Sequence, residues 1–190
     1  MKRAPPAPPL PPPAEPKDGG KEEPQGTRAC YAASNEGTQI VVAYTHANSS
    51  IRVPFATHAF VVAYQGGRAY ATRGGPGSGP GGGSNYRSRQ IVGVSGSYPS
   101  AGFPDAPGDV IDYQVVGFVS LSLDQVAARM NDFARVTTAN DLQYSPSLNS
   151  NSYAFAFVES LGLGRVSPDN WAPGSSNGVP SPSLRCAAGP

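Results

Sequence analysis

The pattern of apolar residues predicts strands up to residue 121. Five short runs have the length of β-strands, and one of them is nearly all apolar, which predicts a central strand buried on both faces. Gln65-Gly66-Gly67 forms a tight turn after that strand, so the next run is expected to return antiparallel as a hairpin. The predicted strands cover residues 39–44, 58–64 (the apolar one), 68–72, 90–94 and 113–121.

After residue 121 the apolar residues recur with the period of helices. Ser122 and Gln125 fit a capping box, which predicts a helix that runs to about Val136. A second helix is expected over residues 149–161, with Gly162 in a left-handed turn at its end. Strands followed by helices predict an α+β fold in which an antiparallel sheet packs against helices. The residues expected on the inner faces of the helices are Leu123, Val126, Met130, Phe133, Ala154, Phe157, Val158 and Leu161.

Proline and glycine divide the chain into a tail and one domain. Residues 1–27 are a disordered Pro-rich tail, in which Pro5 to Pro13 should form polyproline II. We interpret the tail as a linker to an upstream partner, with recognition by a Src-homology groove as the alternative. Residues 28–190 form the domain. Its glycine-rich segment 74–84 is expected to be a flexible loop.

Charge and hydropathy argue against two classes of partner. The formal net charge is +1 and no basic stripe is present, so the sequence gives no support for nucleic-acid binding. Apolar runs are too short for a membrane span, which needs roughly 20 residues, so no transmembrane segment is expected. Lys2 and Arg3 are not followed by an apolar stretch, so no signal peptide is recognisable.

The two cysteines, Cys30 and Cys186, lie near the two ends of the predicted domain. Three interpretations remain open: two unpaired thiols, a disulfide that closes the domain, or a nucleophilic Cys30. Only His46 and His58 could join them as zinc ligands, and the cysteines are not closely spaced, so no metal site is expected. The sequence contains no signal for a cofactor.

Two segments carry candidate chemistry. Asn149-Ser150-Asn151-Ser152 opens the second helix, and His58 begins the apolar strand. A hydroxyl at a helix N-terminus can attack an acyl carbon if an imidazole takes its proton, and helix-end N–H groups favour the developing negative charge. Ordinary structural roles compete with this interpretation, because serine and asparagine are preferred N-caps and a histidine can be a polar residue at a strand end.

The order of these motifs resembles the circularly permuted NlpC-like branch of the papain-like hydrolases. In the lecithin retinol acyltransferase family of that branch, a strand histidine precedes an Asn-Cys-x-x-Phe motif at a helix start. His58 matches the histidine, and Asn149, Ser150 and Tyr153 match the motif. Similar domains occur in bacterial secretion-system effectors and polymorphic toxins, whose further motifs resemble residues 73–76 and 172–174 of this chain.

The resemblance implies a permuted papain-like fold and a hydrolase that cleaves an amide or ester acyl bond. Ser150 stands where the family has a thiol, so it would be the nucleophile, with His58 as its base. Thr72, Arg73, Asn149 and Ser152 are candidates for substrate binding, with Ser152 also the rival nucleophile. The glycine-rich segment 74–84 would be a lid.

One family position has no clear counterpart, namely the polar residue that orients the imidazole. It would fall near Tyr70 or Thr72, and the alternative is a carboxylate from elsewhere, Asp112 or Asp141. A Cys30 enzyme with the ordinary papain order is a rival, although few residues separate Cys30 from the histidine.

The resemblance also implies the surroundings in which the protein works. The substrate would be a cell-wall peptide or a lipid, and an immunity protein or the secretion machinery would be a partner. The protein would be secreted or delivered to the periplasm of a target cell, and otherwise cytoplasmic. The alternative function is a catalytically inactive module that retains the fold and binds cell wall or carbohydrate.

Overall fold

Five strands and two helices make up the described part of the protein. The structure, a computed structural model, describes residues 37–46, 57–77, 90–101 and 103–164. The strands are β1 (Thr38–His46), β2 (Thr57–Gln65), β3 (Arg68–Gly77), β4 (Gln90–Ser97) and β5 (Val110–Val119), and the helices are α1 (Leu123–Ala139) and α2 (Ser150–Ser160). This arrangement confirms the predicted α+β class.

The strands form one antiparallel sheet in the order β4-β3-β2-β1-β5. The predicted hairpin is present: β2 and β3 pair from Gln65↔Arg68 to Val61↔Thr72, with Gly66 and Gly67 at positive φ in the turn. As predicted from its apolar composition, β2 is central, and its residues from Thr57 to Ala63 are buried. The sheet thus places the start of β2 in the interior of the molecule.

Both helices pack on one face of the sheet. Ser122 caps α1, and its side chain and that of Gln125 make the predicted reciprocal hydrogen bonds. The expected inner residues of both helices are buried, and α2 is buried on all sides from Ser150 to Val158. Gly162 follows α2 at a positive φ of 77°, as its predicted role at the helix end requires.

The opposite face of the sheet is covered by the segment that connects β4 to β5. Tyr98 and Phe103 of this segment pack on Phe60 of β2, with ring centroids 5.7 and 5.8 Å from that of Phe60. Val62 and Ala71 belong to the same apolar cluster. Residues alternate between the faces of a strand, so His58 lies on the face of Phe60 and Val62 rather than on the face of the helices.

The prediction of a loop beginning at Gly74 was wrong for its first residues. Strand β3 continues through Gly74, Gly75, Pro76 and Gly77, all four paired with β4. At Gly74 the strand needs a glycine, because Tyr153 of α2 occupies the space that a side chain would need. Residues 78–84, the rest of the expected lid, lie outside the described residues.

Several other predictions fall on residues that the structure does not describe. They concern the Pro-rich tail 1–27, both cysteines, and the motif at 172–174. Within the part that is described, neither helix has the length and apolar character needed to cross a bilayer.

Candidate functional site

The first turn of α2 enters the sheet where β2 and β3 separate. The pairing of β2 with β3 ends at Thr72, whereas the pairing of β3 with β4 runs from Tyr70 to Gly77. Asn151 of α2 bonds to β2 on one side of this opening. On the other side, a Cβ atom added to Gly74 of β3 would lie 2.6 Å from Cβ of Tyr153. The opening is therefore filled by the start of a helix in place of a strand.

Asn151 provides the two hydrogen bonds that a neighbouring strand would otherwise make. Its Oδ1 accepts from the Ala59 backbone N–H at 2.8 Å, and its Nδ2 donates to the Thr57 carbonyl at 3.0 Å. The amide is fully enclosed and satisfies two backbone groups that would be costly to leave unpaired. Thr57 and Ala59 are the two neighbours of His58. Asn151, the residue after Ser150, is therefore hydrogen-bonded to the backbone on both sides of His58.

The cap of α2 is Asn149, so Ser150 is the first residue of the helix and not its cap. The Asn149 side chain accepts from the backbone N–H groups of Asn151 and Ser152. The Tyr153 N–H donates to the Asn149 carbonyl. These bonds use the first-turn N–H groups of Asn151, Ser152 and Tyr153, so the N–H of Ser150 is the one first-turn donor that none of them occupies within the described residues. The sequence suggests that several N–H groups of the first turn could stabilise an oxyanion, whereas the structure leaves that role to fewer of them.

The two hydroxyls of the helix start have different surroundings. Ser152 accepts from the Asn149 N–H at 3.2 Å and donates to the Ser147 carbonyl at 3.3 Å, which completes the capping box. Ser150 is 3% exposed, and its hydroxyl makes no hydrogen bond within the described residues. Of the two candidate nucleophiles, Ser150 is the one whose hydroxyl is not used to hold the helix end.

His58 lies beside an ion pair on the opposite face from the body of α2. Its Nε2 is 3.6 Å from Oδ2 of Asp105, and the same oxygen accepts a hydrogen bond from Nη1 of Arg73 at 2.9 Å. All three side chains are largely buried. At 3.6 Å the imidazole and the carboxylate are in electrostatic contact but beyond hydrogen-bond length. His58 is on β2 and Arg73 is on β3, so the group spans the two strands that border the opening.

Burial and the two neighbouring charges set the protonation of the site. Burial is the main cause that lowers the pKa of His58 below its usual value, and Arg73 lowers it further, while Asp105 raises it. Burial would raise the pKa of Asp105, but His58 and Arg73 together hold it below its usual value. His58 is therefore neutral near pH 7, the form that can accept a proton, beside an ionised carboxylate.

The other predicted site residues have identified contacts. Thr72 is buried, its Oγ1 donates to the Val94 carbonyl at 3.2 Å, and it shares a hydrogen bond of 2.6 Å with the Tyr153 hydroxyl. Arg73 contacts Asp105. Tyr70 lies on the helix side of the sheet, where its hydroxyl donates to Asn131. Substrate binding by Thr72, Arg73, Asn149 and Ser152 stays a prediction.

Sequence reasoning missed Asp105 and Asn151. The carboxylate beside His58 is Asp105, which follows β4, and not Asp112 or Asp141, which are exposed on β5 and after α1. Asp105 lies in an irregular segment between β4 and β5, where no periodic pattern indicates its position. For Asn151 the sequence does contain a signal. A helix needs only one N-cap residue, so a run of four polar residues at its start indicates that some of them have another role.

Among the described residues, no group of three or more His, Cys, Asp or Glu side chains is placed to hold a metal ion. Comparisons of the chain with protein-family models, with curated proteins and with solved structures find no match. The geometry of the opening between β2 and β3 is therefore the basis for any functional conclusion.

Proposed function

We propose that this protein is a hydrolase of the permuted papain-like type that cleaves an amide or ester acyl bond, with Ser150 as nucleophile and His58 as base. The observation that carries the proposal is the pair of Asn151 hydrogen bonds to the backbone on either side of His58, at 2.8 and 3.0 Å. They hold the start of the nucleophile's helix against the strand that carries the base. A second support is that Asn149 takes the cap, so the Ser150 hydroxyl is spared that role.

The reaction uses one proton carrier. Nδ1 of His58 takes the hydroxyl proton as Oγ of Ser150 forms a bond to the acyl carbon, and the carbonyl oxygen becomes an oxyanion near the Ser150 N–H. The imidazolium then gives the proton to the leaving amine or alkoxide as the C–N or C–O bond breaks. Water attacks the acyl-enzyme, His58 takes and returns its proton, and the acid product leaves with Ser150 regenerated.

The neutral state of His58 suits this role. A serine hydroxyl is far less acidic than a thiol and reacts only with an adjacent base that is unprotonated at the working pH. Burial and Arg73 lower the pKa of His58 and keep the imidazole unprotonated near neutrality. A carboxylate beside Nε2 stabilises the imidazolium that forms when the hydroxyl gives up its proton.

The substrate class proposed is a cell-wall peptide or a lipid ester, and the setting proposed is a bacterial effector or toxin delivered to the periplasm. The permuted papain-like topology is part of the same proposal. A panel of peptidoglycan fragments and diacyl phospholipids, assayed for released amines and fatty acids, distinguishes the two substrates.

The nucleophile is tested with an alkyl fluorophosphonate, which forms an O–P bond with an activated serine and releases fluoride. We expect mass spectrometry to find one adduct, on Ser150, and Ser150→Ala to abolish it. His58→Gln should slow labelling by about 10²–10⁴-fold, the usual contribution of a general base. Ser152→Ala should still be labelled on Ser150. A folded protein that gains no adduct on Ser150 would contradict the proposal.

A further inference from the structure

We propose that Asp105 is the positioning residue for His58 and that Arg73 is the fixed counter-charge of Asp105. This inference rests on the proposed function of His58 as a base. It assigns the orienting group to the segment between β4 and β5, and not to β3, where the family resemblance places it.

The first observation is the state of Nε2 of His58. This atom is buried and has no hydrogen-bond partner within the described residues, and the nearest carboxylate oxygen, Oδ2 of Asp105, is 3.6 Å away. A buried polar atom is costly unless it is paired. A shift of about 0.6 Å would bring the two atoms within hydrogen-bond length, and catalytic hydrogen bonds are often long before substrate binds.

The chemical consequence concerns the tautomer of the neutral ring. A carboxylate at Nε2 favours a proton on that nitrogen, because the N–H donates and the carboxylate accepts. Nδ1 then carries the lone pair and is the atom able to take a hydroxyl proton. Asp105 would act through His58 and contact neither the substrate nor the reacting atoms.

The second observation is how Asp105 is held. Tyr98 and Phe103 precede it in the same segment and pack on each other and on Phe60, with ring centroids 5.7 to 5.8 Å apart. Phe60 is two residues after His58 on the same strand and the same face. The aromatic cluster therefore fixes the segment of Asp105 against the strand of His58, as a precise orientation requires.

The third observation is the place of Arg73. Its guanidinium lies over Gly75 of the same strand, where an added Cβ atom would be 2.7 Å from Nη2. From there Nη1 donates to Oδ2 of Asp105 at 2.9 Å. One carboxylate oxygen thus faces both the imidazole and the guanidinium, and the absence of a side chain at Gly75 gives the arginine its room.

Asp105 and Arg73 have opposite effects on His58. They are the charged groups that act on this imidazole within the described residues: the carboxylate favours its protonated form and the guanidinium opposes it. We therefore expect Asp105→Asn to lower the pKa of His58 and Arg73→Gln to raise it. A role confined to packing would not give two shifts of opposite sign.

The experiment is nitrogen-15 NMR of histidine-labelled protein, which has only His46 and His58 to assign. In the wild type at pH 7.5 we expect neutral His58 protonated at Nε2. Asp105→Asn should increase the Nδ1-protonated fraction and lower the pKa, and should slow fluorophosphonate labelling about tenfold or more. Asp124→Asn, which breaks the exposed Arg68–Asp124 ion pair, is the matched control and should change none of these.

An unchanged tautomer and pKa in folded Asp105→Asn would overturn the inference, whatever the labelling. A second outcome is that Asp105→Asn shows the expected NMR changes while the wild type never reacts with the fluorophosphonate. That result would support the link between Asp105 and His58 and would overturn the proposed hydrolase activity. If Asp105→Asn does not fold, the double variant with Arg73→Gln removes both charges, and it should show the same loss of the Nε2-protonated form.

Discussion

Asn151 and Ala59 are joined by a hydrogen bond of 2.8 Å between a side-chain oxygen at a helix start and a backbone N–H in the centre of a sheet. The same amide also bonds to the Thr57 carbonyl. A single side chain thus continues the hydrogen bonding of β2 beyond the point where β3 turns away. The contact ties the residue after Ser150 to the backbone on both sides of His58.

Replacing Asn151 tests this contact. Asn151→Ala leaves a buried N–H and a buried carbonyl without partners, and at about 1–3 kcal/mol for each group we expect unfolding to become easier by about 3 kcal/mol. Asn151→Asp keeps the acceptor but loses the donor and buries a charge, so it should be at least as destabilising. Urea denaturation measures both changes.

The matched control is Asn131→Ala. The Oδ1 of Asn131 accepts from the hydroxyls of Tyr70 and Ser95, but at an exposed site where water can replace it. A loss of stability under about 1 kcal/mol is expected there. Equal losses in the free energy of unfolding for the two alanine variants would mean that the buried Asn151 hydrogen bonds stabilise the fold no more than the exposed ones of Asn131 do.

Gly74 is predicted to be intolerant of any side chain. A Cβ atom there would lie 2.6 Å from Cβ of Tyr153, and neither backbone can move easily, because one is in β3 and the other in α2. We expect Gly74→Ala to cost about 1–3 kcal/mol through overpacking. Gly96→Ala, in β4 with nothing within 4 Å of the added atom, is the control and should be near neutral. Thermal unfolding of both variants decides the matter.

The two serines in the first turn of α2, Ser150 and Ser152, should differ in how much each contributes to stability. Ser152→Ala removes the partner of the Asn149 N–H, so it should lower the free energy of unfolding by about 1–2 kcal/mol. Ser150→Ala removes a hydroxyl without a partner in the described chain, so its effect on stability should stay within about 0.5 kcal/mol. A large loss of stability in Ser150→Ala would favour a structural role for that serine.

His58 should make the protein less stable as pH falls from 7.5. Its folded pKa is depressed below 6.5, mainly by burial. Above 6.5 both states hold the imidazole neutral. Below 6.5 the unfolded chain binds a proton that the folded chain does not, so stability decreases until pH passes the folded pKa.

The pH effect is measured as the free energy of unfolding of wild type and His58→Gln between pH 7.5 and 5. The pKa of Asp105 is depressed below 3.8, so its own loss of stability comes at lower pH, outside this range. We expect the wild type to lose more stability than the variant over the range. Parallel curves would show that His58 is not held neutral by the fold.

The sequence predicts the regular elements well and the site only in part. Apolar runs, the Gly66-Gly67 turn and the capping box at Ser122 are local signals, and the structure confirms each of them. The continuation of β3 through Gly74 was missed because it depends on pairing with β4, which is remote in sequence. Local propensity of glycine favours a loop, and tertiary packing overrides it.

The partner of His58 could not be predicted for a similar reason. Asp105 follows a segment whose position depends on aromatic packing with Phe60, and nothing in the spacing of residues shows that packing. Asp112 and Asp141 were equally plausible carboxylates before the fold was known. The cap could be predicted only as one of four residues, and the structure identifies it as Asn149.

The Asn151 bridge also has a consequence for the order of folding. It joins residues 92 and 94 positions apart, whereas the β2–β3 hairpin closes over a two-residue turn. Contacts of short range form early, and long-range contacts form once the entropy of closing the intervening chain has been overcome. The opening between β2 and β3 is thus left without its partner until α2 docks. The hairpin can form first, whereas the start of the helix that carries Ser150 bonds to the strand of His58 only when this long-range contact forms.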